Sequence, residues 1–249
     1  MERLRLIRHS FPGDPELSTA VSRTILARVA AGELPPSVRI HRPGREVAFG
    51  RQDVASEGYA AAAEAARACG FAAVERLAGG RAAVFHEGTI AIARAYSDPQ
   101  PPKRTYARFE EMAEVIASAL GSLGVDARVG EIPGEYCPGA YSVNARGRTK
   151  LAGIGQRMIR GGAHLGGVVV GSGEGEIADV LDPVYRALRL EWDRATSGSV
   201  AEEIGREVDA GEVEEAVIAE LDRRYELVDA ELDESTVRAG AKSLDRAPR

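Results

Sequence analysis

An α+β fold, with a mixed or antiparallel central sheet flanked by helices, is what this 249-residue chain predicts. Three observations carry that expectation. Strand-like alternation comes in groups, over 72–96 and again over 135–171. Glycine and proline turn signals join the strands within each group. Long amphipathic stretches lie between and after the groups, which fits helices laid on a sheet better than a doubly wound alternation.

The elements follow in order. Residues 15–33, PELSTAVSRTILARVAAGE, put Leu17, Val21, Ile25 and Val29 on one helical stripe, with Asp14 as cap and Pro15 at the first helical position. Residues 36–50 read as two short strands around Pro43-Gly44. Residues 55–70 read as an alanine-rich helix closed by Gly70. Residues 72–96 read as strand, glycine turn, strand, turn, strand. The proline-rich 97–103 leads into an amphipathic helix over 105–124, through Phe109, Met112, Val115, Ile116 and Leu120. Residues 135–171 supply about three strands. Glu174–Leu190 reads as a helix that Pro183 should bend or split. Beyond Ser199, SVAEEIG and EVEEAVIAELDRRYELV read as helical, and the last twelve or so residues as frayed. A catalytic domain over 1–195 and a short acidic helical C-terminal extension over 196–249 are expected.

Charge and cysteine usage narrow the function. The net charge is −6, and residues 201–249 hold fifteen acidic and seven basic side chains, so the preceding body is nearly neutral. No basic stripe suggests a nucleic-acid partner. Two cysteines, Cys69 and Cys137, make no disulfide framework and point to a reducing compartment. The N-terminus has no apolar signal-peptide core, and no apolar run approaches the roughly 20 residues that span a bilayer. The expected location is the cytoplasm, with no membrane partner. The four histidines are scattered, so no metal site is expected.

Four features could carry chemistry. In RLAGGRAAVFHEG, residues 76–88, Gly79 and Gly80 allow close backbone approach to a ligand, and Arg76 and Arg81 could hold an anion. The ordinary reading of that stretch is a hairpin loop; it lacks the sequence of a P-loop. His86, alone at a strand end, is more often structural. Cys69, late in its alanine-rich helix, reads as a small buried apolar residue. Cys137 sits beside Pro138 and Gly139, a loop setting that exposes a thiol. Lys150 follows it by thirteen positions and precedes the apolar Leu151-Ala152-Gly153, so it could enter a pocket. An ammonium near a thiol lowers the thiol's pKa.

These motifs resemble a known family. RLAGGRAAVFHEG is similar to the R-R-x-x-G-G-x-x-V-x-H signature of lipoate–protein ligases and octanoyltransferases. GRTKLAGIGQRMIRGG is similar to their G-x-K-[ILF]-[AV]-G-x-[AS]-Q segment, and FGRQD, residues 49–53, to their early G-R-x-[DQ] strand end. Order and spacing agree over most of 15–190. Glu75 replaces a second arginine, Arg81 stands where a glycine or small residue is common, and Gly155 stands for Ser or Ala. YCPG, before the lysine motif, most resembles the group that takes octanoyl from the glycine cleavage H protein.

The resemblance implies the catalytic-domain fold of lipoate and biotin ligases, and an acyltransferase. Such an enzyme would move an octanoyl or lipoyl group to a lysine of lipoyl domains through a Cys137 thioester. Acceptors would be the glycine cleavage H protein and E2 subunits of 2-oxoacid dehydrogenases. Lys150 would lower the Cys137 pKa and steady the acyl carbonyl, with more effect on rate than on stability. Backbone N–H groups near Leu151–Gly153 would complete an oxyanion site. Arg76, Ala78, Gly79, Gly80, Arg81, His86, Leu151, Ala152, Gly153 and Gln156 would bind substrate. No cofactor is then required; ATP and magnesium belong to the competing reading, a lipoate ligase. The same motifs also fit transfer from octanoyl-acyl carrier protein; a non-catalytic binding protein on this fold is disfavoured by the presence of both Cys137 and Lys150. A biotin ligase is disfavoured, since no G-R-G-R-x-G-R-x-W type segment occurs.

Overall fold

The computed structural model describes residues 1–245. In chain order its elements are β1 (Arg3–Ile7), α1 (Pro15–Ala30), β2 (Ser37–His41), β3 (Glu46–Phe49), α2 (Arg51–Val54), α3 (Tyr59–Ala68), β4 (Ala72–Glu75), β5 (Ala83–Phe85), β6 (Thr89–Ser97) and α4 (Thr105–Ser122). Then follow β7 (Ala127–Val129), β8 (Val143–Ala145), β9 (Thr149–Ile159), β10 (Gly162–Val170), α5 (Glu174–Leu188), α6 (Val200–Ile204), α7 (Ala210–Asp222), β11 (Glu226–Asp229) and α8 (Glu234–Asp245). An eight-stranded sheet runs β11-β1-β2-β6-β10-β9-β8-β7; a second, three-stranded sheet runs β4-β3-β5. The large sheet is parallel at β11-β1-β2 and antiparallel from β2 to β7, so the expected mixed α+β architecture is found.

The period-2 alternation of the central strands sorts two environments. Val38, Ile40, Ile90, Ile92, Leu165 and Val169 point into the main core, which α4 and α7 close. The opposite face carries Arg39 and His41 on β2, small residues on β6, and His164, Gly166 and Val168 on β10. There the sheet meets α1 and the three-stranded sheet, and the small residues leave room for cavities. The three-stranded sheet has its own core with α3 and α5, around Phe49, Phe71, Ile177, Leu181 and Tyr185.

Local signals held where they were strongest. Asp14 accepts a hydrogen bond from the Leu17 N–H at 2.9 Å, with Pro15 opening α1. Pro183 lies inside α5 without splitting it. Non-local pairing produced the differences. The two strands around Pro43-Gly44 enter different sheets: β3 pairs in parallel with β4 and antiparallel with β5, both from later in the chain. ELVD at 226–229, which reads as the end of a helix, forms β11 instead, because β1 offers a free parallel edge with Leu4 opposite Leu227. β1 itself, RLRLI, buries Leu4 and Leu6 by simple alternation that five residues are too few to signal. The segment expected as an extension adds α6, α7 and β11 to the main core and sheet. Fraying is expected over about the last twelve residues; through Asp245 they form α8, with Thr236 buried, while 246–249 lie outside the described residues. No described helix is long and apolar enough to cross a membrane.

Candidate active site

Cys137 sits at the wall of a cavity of about 360 Å³, between the β4–β5 connection and β9. It is half-buried rather than exposed, and its φ is +44°. A positive φ before a proline is unfavourable for a side-chain-bearing residue, so other contacts must hold it. The Cys137 N–H donates to the Tyr185 hydroxyl at 2.8 Å, and that hydroxyl donates to the Ala82 carbonyl at 3.1 Å. On the other side the Cys137 carbonyl accepts from Lys150 Nζ at 2.7 Å. Burial and the nearby Cys137 push the Tyr185 phenol well up, which keeps it protonated for this double role.

The sulfur is held by the glycine motif. Arg76 Nη2 donates to Sγ at 3.3 Å and the Arg81 N–H donates to it at 3.2 Å. Burial is the largest single influence on the thiol and pushes its pKa up; the charges of Arg76 and Lys150 and these two hydrogen bonds together outweigh it, leaving it below the ordinary 9.0. The rate of Cys137 alkylation against pH, followed in a Cys69→Ser background, is therefore expected to have its midpoint below that of an ordinary thiol. Arg76→Ala should raise the midpoint; an unmoved midpoint would show that Arg76 does not set the thiolate.

Glycine is required where the loop meets the thiol. A Cβ on Gly80, whose φ is +110°, would stand 2.1 Å from Arg76 Nη2 and 2.9 Å from Cys137 Sγ. Gly80→Ala is expected to displace both groups and raise the alkylation midpoint as Arg76→Ala does, with thermal unfolding showing that the chain still folds. Gly50 faces Gly80 so closely that its Cβ would lie 1.7 Å from the Gly80 carbonyl oxygen. Asp53, buried, ties these parts together: it accepts from the Gly50 N–H at 3.2 Å and pairs with Arg81 at 3.1 Å. Gly155 also has a local reason, since a Cβ there would reach 2.6 Å from the Gly79 carbonyl oxygen.

Lys150 is only 1% exposed, and its ammonium donates to Glu135 Oε1 at 3.1 Å, the Tyr136 carbonyl at 3.0 Å and the Cys137 carbonyl. An ammonium has three hydrogens, so these three acceptors use all of them. Lys150 therefore grips the backbone of the cysteine loop and supplies its charge at longer range. The direct partner of the sulfur is Arg76, not the lysine that the sequence suggests. Glu135, which sequence reading passes over, is buried and also accepts from Ser142 Oγ at 2.6 Å and the Gly139 N–H at 3.0 Å. Its place two residues before Cys137, in EYC, is the one signal that could have found it.

The remaining expected site residues fall in three groups. Gly79, Gly80, Gly153 and Gln156 line the main cavity, and Ala78 lines a smaller one beside it. Gln156 is committed to structure: Oε1 accepts from Arg108 at 2.6 Å and Nε2 donates to the Thr105 carbonyl at 3.2 Å. Leu151 and Ala152 do not line the cavity, their side chains being buried in the main core; the backbone N–H that reaches the sulfur is that of Arg81. His86 is also elsewhere, packed on Gly173 at the start of α5, with Nδ1 accepting from the Gly88 N–H at 3.0 Å. Cys69 is exposed at the C-terminal cap of α3, since Phe71 takes the buried position as the chain leaves the helix. Phe109 and Tyr141, stacked at 5.2 Å between ring centroids, form an aromatic wall of the cavity. Among the described residues no cluster of His, Cys, Asp and Glu could hold a metal ion.

The lipoyl protein ligase A/B catalytic domain matches residues 14–222, a span that holds every group just described. The chain belongs to this family. Among curated proteins it is similar to an octanoyl-[GcvH]:protein N-octanoyltransferase of Bacillus velezensis, 30% identical over 186 residues, covering 74% of this chain and 64% of that protein. A protein of the same name from Geobacillus kaustophilus is 31% identical over 152 residues, covering 61% of this chain and 53% of the relative. The match thus spans between half and two thirds of these relatives' length. Among solved structures, a putative lipoate protein ligase from T. acidophilum with bound lipoic acid superposes with a TM-score of 0.76 at 20% identity, covering 99% of this chain and 96% of that one. Lipoate-protein ligase A bound with ATP gives 0.77 at 19% identity, covering 99% and 95%. The lipoyl ligase family member described here therefore has the lipoate ligase fold over its whole described length.

Proposed function

We propose that this chain is an acyltransferase that moves an octanoyl or lipoyl group onto a lysine of a lipoyl-domain protein through a thioester on Cys137. The observation that carries the reading is the thiol itself: Arg76 and the Arg81 N–H both donate to Sγ at the edge of a cavity of about 360 Å³. The names of the similar curated proteins support the acyl group and the glycine cleavage H protein as donor. In this mechanism the Cys137 thiolate attacks the carbonyl of the acyl donor, the bond from that carbonyl to the donor's nitrogen or sulfur breaks, and the donor's amine or thiol leaves with a proton taken from solvent. The negative charge moves from sulfur to the carbonyl oxygen. Arg76 would stabilise that charge, a role supported by its contact with Sγ and by its Nε–H, which has no partner among the described residues. The acceptor lysine, as free amine, then attacks the thioester, gives its extra proton to solvent and releases the thiolate. No nucleotide is consumed. Acceptors include the H protein and E2 lipoyl domains, and the reaction belongs to the cytoplasm.

The test offers the purified protein octanoyl-H protein, octanoyl-acyl carrier protein, and lipoate with ATP and magnesium in parallel, and reads transfer to an apo lipoyl domain by intact mass. The reading requires a Cys137 adduct and transfer from octanoyl-H protein without ATP. Labelling only with lipoate and ATP, with pyrophosphate released, makes the chain a ligase instead.

A further inference from the structure

The rim of the Cys137 cavity is charged on one side. Gly79, Gly80 and Gln156, which line that cavity, also line an outer cleft of about 240 Å³. Arg51, at the start of α2, and Arg157, on β9, stand in the walls of this cleft. Among the described residues neither guanidinium has a hydrogen bond or a carboxylate partner. Elsewhere the chain pairs many of its exposed arginines: Arg8, Arg42, Arg146, Arg194 and Arg206 each hold a glutamate or an aspartate. Lys103 and Arg104, exposed just before Thr105 of the cavity wall, are also without a carboxylate. The carboxylates of this rim are the exposed Glu75, next to Arg76, and Glu110, which accepts from the Tyr141 hydroxyl at 3.5 Å.

Exposed apolar side chains stand beside these cations. Tyr106 is 71% exposed and Met158 41% exposed, two of the few large apolar residues that the described chain leaves to solvent. They are neighbours, since Thr105 Oγ1 lies 3.3 Å from Met158 Sδ, and Met158 lines the Cys137 cavity. A site for a small anion needs the arginines alone. Aromatic, methionine and arginine side chains together are the composition of a protein–protein contact. The position of the patch says what such a protein would bring. A Cβ on Gly80 would stand 2.9 Å from Cys137 Sγ, so the outer cleft lies just across the glycines from the thiol. Groups that flank a lysine presented to Cys137 would lie over this rim.

We infer that this rim is the docking surface for the lipoyl-domain proteins that give and take the acyl group, and that Arg51 and Arg157 recognise carboxylates flanking the modified lysine. Tyr106 and Met158 cover apolar surface beside them. The inference rests on the proposed transfer reaction, which requires a partner's lysine at Cys137. It adds the chemistry by which the partner is chosen: an acidic border around its lysine.

The experiment titrates the full chain carrying Cys137→Ala, in which no transfer occurs, with labelled apo-H protein and reads fluorescence anisotropy. Binding is expected to weaken severalfold between about 50 and about 300 mM salt. Arg51→Glu combined with Arg157→Glu should weaken it about tenfold or more at the lower salt, with equilibrium unfolding confirming the fold. Arg148→Glu combined with Arg186→Glu makes the same change in net charge at exposed arginines outside these cavities, and should bind as the parent does. Lysine in place of the H protein's carboxylates nearest its modified lysine should restore binding to the Arg51 and Arg157 double variant. Equal weakening of both double variants, weakening of neither, or failure of the charge exchange to restore binding would overturn the inference. Displacement of the H protein by inorganic phosphate or by ATP with magnesium, lost in the Arg51 and Arg157 variant, would make the cleft a phosphate site and overturn it too. The titration needs no chemistry. The expected binding pattern without any Cys137 adduct in the parent would sink the proposed reaction alone. An adduct from octanoyl-H protein, with binding that ignores Arg51 and Arg157, would sink the inference alone.

Discussion

Cys137→Ala is expected to abolish the acyl-enzyme adduct and to lower transfer to an apo lipoyl domain by roughly a thousandfold or more. Among the described residues that line the cavity, the thiol is the only nucleophile that two N–H groups hold and that is pushed toward the thiolate; the hydroxyl of Ser142 is bound to Glu135 instead. Replacement by alanine leaves the loop its anchors, because Tyr185 and Lys150 bind the backbone of residue 137 and not its side chain. The fold should therefore survive while the chemistry is lost. Cys69→Ser serves as the control, since that thiol is exposed on α3 and away from the site. Intact mass after incubation with octanoyl-H protein decides the matter. An adduct that persists on the alanine variant, or transfer at the parental rate, removes Cys137 from the reaction.

Lys150→Ala is expected to lower stability markedly as well as rate, contrary to the expectation that the change affects rate far more than stability. Lys150 and Glu135 form a buried pair with side chains 1% and 0% exposed. Removal of one partner leaves an uncompensated charge in the interior, at a cost of about 3–5 kcal/mol. It also frees the carbonyls of Tyr136 and Cys137 and removes one of the two charges that lower the thiol. Exchanging both partners separates these effects. Lys150→Met with Glu135→Gln should recover much of the stability in urea unfolding, yet keep the alkylation midpoint of Cys137 raised. If the single variant unfolds at the parental urea concentration, the buried pair does not hold the loop. If the double variant restores the midpoint, the lysine charge does not tune the thiol.

Much of the site was legible because its signals are short-range. Gly80 allows the close approach that the structure shows at Arg76 and Cys137, Gly79 sets its carbonyl against Gly155, and the loop at Cys137 announced itself through Pro138 and Gly139. Sequence assignments failed where a side chain's direction depends on distant partners. Leu151 and Ala152 follow Lys150 in the motif, yet the strand carries them into the core. His86 closes the glycine motif, yet its ring turns to Gly173, eighty-odd positions later in sequence. Glu135 and Tyr185 gave no sign, because a carboxylate or a phenol becomes notable only once it is buried against specific groups.

By itself the sequence determined the class of fold, the starts of α1, α4 and α5, the two glycine-rich junctions and the family. Each depends on periodicity, capping or fixed spacing, which neighbours along the chain dictate. Tertiary structure alone decided that β3 leaves the main sheet for its own, that β11 closes the edge beside β1, and that Arg76 rather than Lys150 touches the thiol. Those outcomes are set by contacts between residues that are 61 to more than 200 positions apart for the thiol and for the sheet edge. Only folding brings such groups within bonding distance, and burial then decides which charges and hydrogen bonds reach the sulfur.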